Sequence, residues 1–348
     1  MLNRWIILWL LSGCCNFSIA ATTFFTVHGY QYDTLQLNRV VRTIKKSENS
    51  IPKIAAIIES VSTTDQEKAY CIYYYIASQY KYDLNRSKQI TKGKIKRELY
   101  PNELLKKHKG VCGDFANLTK LLCDQLGIPC FRVSGYAKTF RVLHPVRRKK
   151  TDHAWNVLRI NGRWYPFDVT WGIWQYSEKK YNKKGIDYAY FLAELPFFSK
   201  KHHPLDPIFQ LRDKQVSYGD FRWGRKAVKQ HVLDVYIPDS LLNQRYRLSR
   251  KEQVMAEYFS SATYLKRAQK TAASHVEMEI RTLTDSKNPM IAKNRLSNLK
   301  ISADWYHMFA ETARKLNGRI SRRIARYAQY METKQQQAIE KLERKKIK

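Results

Sequence analysis

The chain has 348 residues, 44% of them hydrophobic and 13% aromatic, which excludes an intrinsically disordered protein and gives length enough for two domains with real cores. Its 63 Lys and Arg against 30 Asp and Glu leave a formal charge of +33, which suits the surface to anionic partners such as nucleic acid, lipid headgroups or acidic polymer. The six cysteines follow no CxxC or Cys/His spacing, so neither a metal site nor a cofactor is expected.

At the N-terminus, Met1 to Arg4 is a short basic stretch. Trp5 to Leu11 is an apolar run too short to span a bilayer once Ser12-Gly13 follow. Two processing sites stay open. Ser18-Ile19-Ala20 offers small residues for a cut near Ala20, and Leu11-Ser12-Gly13-Cys14 resembles a bacterial lipobox in which Cys14 is lipidated. Either one predicts a leader over residues 1–20 and an exported protein, periplasmic or anchored to the membrane as a lipoprotein. Export argues against nucleic acid and for anionic cell-envelope polymer or a membrane surface.

Residues 22–50 read as a strand or a loose arm, with a basic run from Arg42 to Lys46, and Ile51 to Ile58 as a short helix or strand. Thr64 with Glu67 is a capping box opening a helix to about Tyr80, whose Tyr70, Ile72, Tyr73, Tyr74 and Ile76 are core. Residues 81–100, polar and basic, are predicted as a long loop. Pro101 starts a short helix through Lys107. Next, Phe115, Leu118, Leu121, Leu122 and Leu126 recur at helix spacing until Gly127 and Pro129 stop them. Cys112, bracketed by Gly110 and Gly113, therefore sits at the mouth of an amphipathic helix. The unpaired N–H groups and positive dipole end favour a thiolate there, and the glycines allow close approach to the sulfur. Cys123 and Cys130 could pair across the far end of that helix in an oxidising compartment.

Phe131 to Tyr136 reads as a strand. The segment 137–152 carries Arg141, Arg147, Arg148, Lys149 and Lys150, a candidate for attracting anionic substrate. Between two β-rich runs, Asn161-Gly162 marks a two-residue type I′ hairpin in which Ile160 faces Arg163. That register sets Trp155 opposite Asp168 and His153 opposite Thr170. His153 and Asp168 then share a face as diagonal neighbours, roughly 7–8 Å apart at Cα. Cys112, His153 and Asp168 thus form a nucleophile, its base and the base's orienter. His144, His202 and His203 are expected to be structural or surface residues, since no carboxylate or cysteine spacing recruits them.

The blocks G-V-C-G-D-F-A, D-H-A-W-N-V and W-Y-P-F-D-V-T-W resemble the Cys, His and Asp blocks of the transglutaminase-like superfamily. The resemblance covers about residues 60 to 220. Residues 190–211 are similar to the segment after the core in the branch that includes the kyphoscoliosis-type proteins. It implies an α+β fold with a papain-like core, a catalytic helix on an antiparallel sheet, and Cys112, His153 and Asp168 as catalytic triad. It also implies thiol acyl transfer on a protein or peptide substrate, with either water or an amine as acceptor. Hydrolysis is favoured over cross-linking because water needs no second pocket. A non-catalytic binding protein is the competing reading, and the intact triad argues against it. Cys112 N–H is the natural oxyanion donor, and Gln79 and Tyr82 are candidate side-chain donors.

Residues 173–189 read as an exposed basic connection, and the family-like part closes near Phe221. The predicted division is a catalytic domain over 21–221 and a basic helical region over 222–348. In the latter, Ser249 with Glu252 caps a long helical pattern over 250–283, Ala303 to Leu316 is amphipathic, and a last basic helix runs from Arg319 to Lys348. Its apolar residues read as too few for an independent core, so an elongated extension packed partly on the catalytic domain is expected.

Overall fold

The computed structural model describes residues 24–27, 30–44, 48–95, 98–138, 151–173, 185–212, 215–223, 239–264, 269–284, 294–316 and 318–347. The leader, with Cys14 and Ala20, and the basic run 141–150 lie outside them. Among the described residues no helix is long and apolar enough to cross a membrane.

An antiparallel pair, β1 (Phe24–Val27) and β2 (Tyr30–Asp33), leads into α1 (Thr34–Val41), so the first segment is partly helical as well as extended. Ser50 caps α2 (Ile51–Glu59) by accepting from Lys53 N, and Pro52 suits its first turn. Thr64 and Glu67 exchange capping hydrogen bonds at the start of α3 (Asp65–Gln79), as the sequence predicts. Every residue from Ala69 to Ala77 is buried, which makes α3 the central helix. After β3 (Lys81–Tyr82) the expected loop is instead a helix, α4 (Leu84–Thr91), capped by Asp83 accepting from Arg86 N at 2.9 Å. No residue of α4 is buried, so no apolar period marks it in the sequence. Then come α5 (Pro101–Lys107), β4 (Lys109–Gly110), which pairs in parallel with β3, and α6 (Cys112–Gln125). Gly127 takes a positive φ of 74° just past α6.

β5 (Cys130–Ala137), β6 (His153–Ile160), β7 (Arg163–Phe167) and β8 (His202–Pro204) form one antiparallel sheet in the order β7-β6-β5-β8. Asn161 and Gly162 have φ of 49° and 84°, the mirror-turn geometry that matches strand twist. Pairing runs from Ile160↔Arg163 to Asn156↔Phe167 in the register predicted. Beyond Phe167 the ladder stops, because the chain turns into α7 (Val169–Ile173), so Asp168 and Thr170 leave their expected partners. A 3₁₀ turn (Tyr188–Tyr190), α8 (Leu195–Phe198), a second 3₁₀ turn (Pro207–Gln210) and α9 (Tyr218–Trp223) surround β8.

One face of the sheet joins Cys130, Leu158 and Phe167 to Tyr73, Phe115 and Leu122 of α3 and α6. The other buries Phe131, Val133, Trp155, Val157 and Trp164. The architecture is α+β with a papain-like core, α6 lying on an antiparallel sheet. Cys123 and Cys130 are buried free thiols, hydrogen-bonded neighbours rather than a disulfide, and burial with the adjacent Cys130 pushes Cys123 well above the usual thiol range.

The remaining helices are α10 (Asp239–Arg247), α11 (Arg250–Tyr264), α12 (Gln269–Thr284), α13 (Arg295–Arg314) and α14 (Arg319–Ile347). The expected continuous pattern over 250–283 is two helices that pack on each other, the first opened by the Ser249–Glu252 cap. The helices bury more apolar residues than their sequence pattern suggests, in a core they share with the sheet domain. Tyr258, Val276, Ile280, Tyr306, Phe309 and Ala328 are buried together in one cluster. Single apolar residues spread over four helices add up to a core that no one helix announces. Tyr136, Leu205, Tyr218 and Phe221 join the same cluster and tie it to the sheet domain.

Candidate active site

Cys112 is the first residue of α6, half-buried and free. The turn that presents it is pinned by the next carboxylate. Asp114 accepts from Val111 N at 2.9 Å and Leu99 N at 2.7 Å, and Arg86 Nε lies 3.4 Å away. Burial pushes Asp114 up against the pull of these partners. Gly113 is needed for close approach, since a side chain there would overlap Glu98 Oε1. Glu98 holds Asn117 Nδ2 at 2.5 Å and pairs with Arg132 of β5. The closest groups to the glycine are thus a buried ion pair. Asn156 of β6 donates to Ala116 O at 3.0 Å and so fixes α6 against the strand that carries His153.

His153 opens β6 and Asp168 follows β7, and both are buried. Although the ladder ends before Asp168, its carboxylate still reaches the imidazole: His153 Nε2 lies 2.6 Å from Asp168 Oδ2. That leaves Nδ1 as the ring atom for Cys112, which lies near enough to contribute to the upward shift of His153. Burial alone would lower the imidazole, but the charge and hydrogen bond of Asp168, with smaller contributions from Cys112, raise it to about 10. Burial would raise Asp168, yet His153 and His202 together hold it well below the usual carboxylate range. The carboxylate is ionised and can only accept, so both rings donate Nε2–H to it.

Cys112, His153 and Asp168, chosen from the sequence, are therefore brought together. The two candidate side-chain oxyanion donors separate. Gln79 turns away, donating to Val41 O at 3.3 Å. Tyr82 lies in the field of both Cys112 and Asp168, and its hydroxyl is 3.3 Å from Ser87 Oγ. The sequence reading missed His202. It is buried, its Nε2 is 3.0 Å from Asp168 Oδ2, and the carboxylate that recruits it lies 34 positions earlier, which no local spacing reveals. His203 is also buried, 3.0 Å from Val216 O, rather than on the surface.

His153, Asp168 and His202 are the one set of described residues whose metal-ligating atoms all lie within 4.8 Å. A tetrahedral ion would hold its ligand atoms ~3.3 Å apart. The separations of 2.6 and 3.0 Å from Asp168 Oδ2 are those of hydrogen bonds instead.

Residues 52–169 match the family model described as the transglutaminase-like superfamily. That segment of the chain is similar to the transglutaminase-like superfamily. Among curated proteins, the chain is 26% identical over 209 residues to the kyphoscoliosis peptidase of Mus musculus, covering 56% of the chain and 31% of that protein. It is 24% identical over 213 residues to the Homo sapiens kyphoscoliosis peptidase, with the same coverages. It thus spans about a third of the length of these relatives. A solved structure of a TGase aligns at TM-score 0.29 and 13% identity, over 44% of this chain and 36% of that one. The matched span contains Cys112, His153 and Asp168, whereas His202 lies beyond its end.

Proposed function

We propose that the chain performs thiol-dependent acyl transfer on amide bonds of protein or peptide substrates, with water as acceptor. The observation that carries this reading is the His153–Asp168 hydrogen bond of 2.6 Å beside the half-buried Cys112 at the mouth of α6. In the proposed cycle the proton already rests on His153 Nδ1, as an imidazole held protonated to about 10 requires, and the Cys112 sulfur adds to the substrate carbonyl as the thiolate of that pair. The Cys112 backbone N–H at the mouth of α6 faces the developing oxyanion, with the Tyr82 hydroxyl as candidate second donor. Collapse breaks the C–N bond, and His153 returns its proton to the leaving amine. Water then loses a proton to His153 and attacks the thioester, which releases the carboxylic acid and restores the thiolate. Asp168 fixes the ring orientation and stabilises the imidazolium throughout.

The curated relatives carry the name peptidase, which supports hydrolysis over cross-linking. The reading includes export by the N-terminal leader, with anionic envelope polymer or a membrane surface as partner of the basic helices. The test is incubation of the full chain with a peptide library, with and without a primary amine probe, against Cys112→Ala. Cleavage products that need Cys112 and gain no amine are expected. Amine incorporation without cleavage would replace hydrolysis by cross-linking, and neither reaction would favour a binding protein.

A further inference from the structure

Asp168 receives three donors. Oδ1 accepts Trp171 N–H at 3.1 Å, and Oδ2 accepts both His153 at 2.6 Å and His202 at 3.0 Å. His202 is 3% exposed and comes from β8, the edge strand that pairs with β5 on the side away from β6. Its own orientation is fixed with unusual care. The ring stacks on Phe198 at 3.8 Å and 12°, meets Trp155 edge-on at 5.2 Å, and lies 4.5 Å from Trp171. With the ring neutral and its proton on Nε2, Nδ1 has none to give Phe198 O 3.3 Å away, so the aromatic cage is what sets the ring. A buried polar side chain packed this tightly, with its donor aimed at a carboxylate already bonded to the candidate base, has a specific task.

We infer that His202 is a positioning residue for Asp168: its Nε2–H holds the carboxylate in the plane that aims His153 at Cys112, and shares the negative charge on Oδ2. The inference rests on the acyl-transfer reading above. His202 makes no bond to Cys112, so it acts through Asp168. Without it, Oδ2 keeps His153 as its one donor, and the orientation of the carboxylate rests on that bond and Trp171 N–H alone. A hydrogen bond to a charged group has an effect of about 10- to 100-fold when the geometry it supports is needed for rate.

The groups facing this carboxylate keep the pH dependence interpretable. Tyr73, Tyr82 and Tyr190 all feel Asp168, and burial raises each of them, so they stay neutral through the working range. Lys201 Nζ sits 5.7 Å from the Trp171 ring centroid, and His203 is engaged with Val216 O. His153 is held protonated to about 10 and His202 neutral down to about 4, so neither ring changes charge between those values. Removing a donor from an ionised carboxylate raises its pKa, so loss of the His202 bond shifts the acidic limb of thiol reactivity to higher pH.

The experiment is the rate of iodoacetamide alkylation at Cys112, read by peptide mass spectrometry across pH, in the full chain and in His202→Phe, His202→Gln and His153→Ala. Phe keeps an aromatic ring in the cage and loses the donor, whereas Gln keeps a donor and loses the ring. The expected result is a rate about 10- to 100-fold lower in His202→Phe, with its acidic limb moved up, and a profile near wild type in His202→Gln. A wild-type profile in His202→Phe with damage in His202→Gln would overturn the inference, because only packing would then matter. If circular dichroism shows that His202→Phe does not fold, His202→Gln decides: an unmoved limb supports the role and a shifted one overturns it. A rate unaffected by His153→Ala would instead sink the acyl-transfer reading.

Discussion

The sheet domain and the C-terminal helices both bury apolar clusters, but they treat polar groups differently. Around the sheet, Asp114, His153, Asp168, His202, His203, Asp206 and Arg212 are all buried. In the helices after Arg250 the buried polar residues are Ser261, Gln269, Ser302 and Ser321, none of them ionisable. The helices carry outward pairs such as Lys300–Glu343 at 2.8 Å, with Glu257 and His275 as exceptions that burial shifts to about 7 and about 4. Burying ionisable groups costs several kcal/mol each unless they are bonded. Asp114, His153 and Asp168 gather beside the half-buried thiol, which marks that part of the sheet domain as the region built for chemistry.

The largest effect that would sharpen this contrast is expected from Asp168→Asn. The amide keeps the shape but cannot accept from two imidazoles as the carboxylate does, and it removes the charge that raises His153. Cys112-dependent turnover should fall by about 10²- to 10⁴-fold, which steady-state kinetics on a cleaved peptide would measure. A loss under tenfold would mean that the buried carboxylate is merely structural. The opposite behaviour is expected of Phe309→Ala in the helical core, where the side chain is fully buried. It should cost about 3–5 kcal/mol in urea unfolding while leaving the native-state alkylation rate of Cys112 unchanged. A changed rate would show that the helical cluster and the site are not separable.

Acid should strike the sheet domain next. His202 and His203 are each lowered by burial to about 4 from an ordinary value of 6.5. Folded protein thus binds fewer protons than unfolded below pH 6.5, so stability is present above that value and is lost as pH falls toward 4. Each ring contributes up to about 3 kcal/mol to that loss. His153 works in the reverse direction, with its contribution present below pH 6.5 and lost as pH rises through about 10. Urea titrations from pH 7 to pH 4.5 should show the acidic decline, partly relieved in His203→Gln. A flat profile would contradict the buried neutral rings. Smallest of all, Lys300→Ala removes an exposed pair and should change stability by less than about 1 kcal/mol, which thermal unfolding can check.

Much of the site was legible because the sequence marks it locally. Cys112 precedes a periodic run ended by Gly127, and Asn161-Gly162 fixes the register that brings His153 and Asp168 within reach. What stayed hidden depends on contacts between distant segments. His202 reaches Asp168 only because β8 pairs with the far edge of β5. Helix α4 is exposed all round and so lacks an apolar period. The helical core draws one or two residues from each turn of four helices, a sparse pattern that reads as solvated until the helices are packed. Asp168 reaches His153 by a different route from the one its register predicts, since it leaves the ladder and caps α7 through Trp171 N instead of pairing with Trp155.

The most direct measurement is an NMR titration of the His153 imidazole in the wild type and in Cys112→Ala. The account predicts a ring that stays protonated up to about pH 10 in the wild type. Without the sulfur, whose hydrogen bond and charge help to raise it, the midpoint should fall. An identical midpoint in both proteins would contradict the pairing of Cys112 with His153, and a midpoint near 6.5 in the wild type would contradict the role of Asp168 as well.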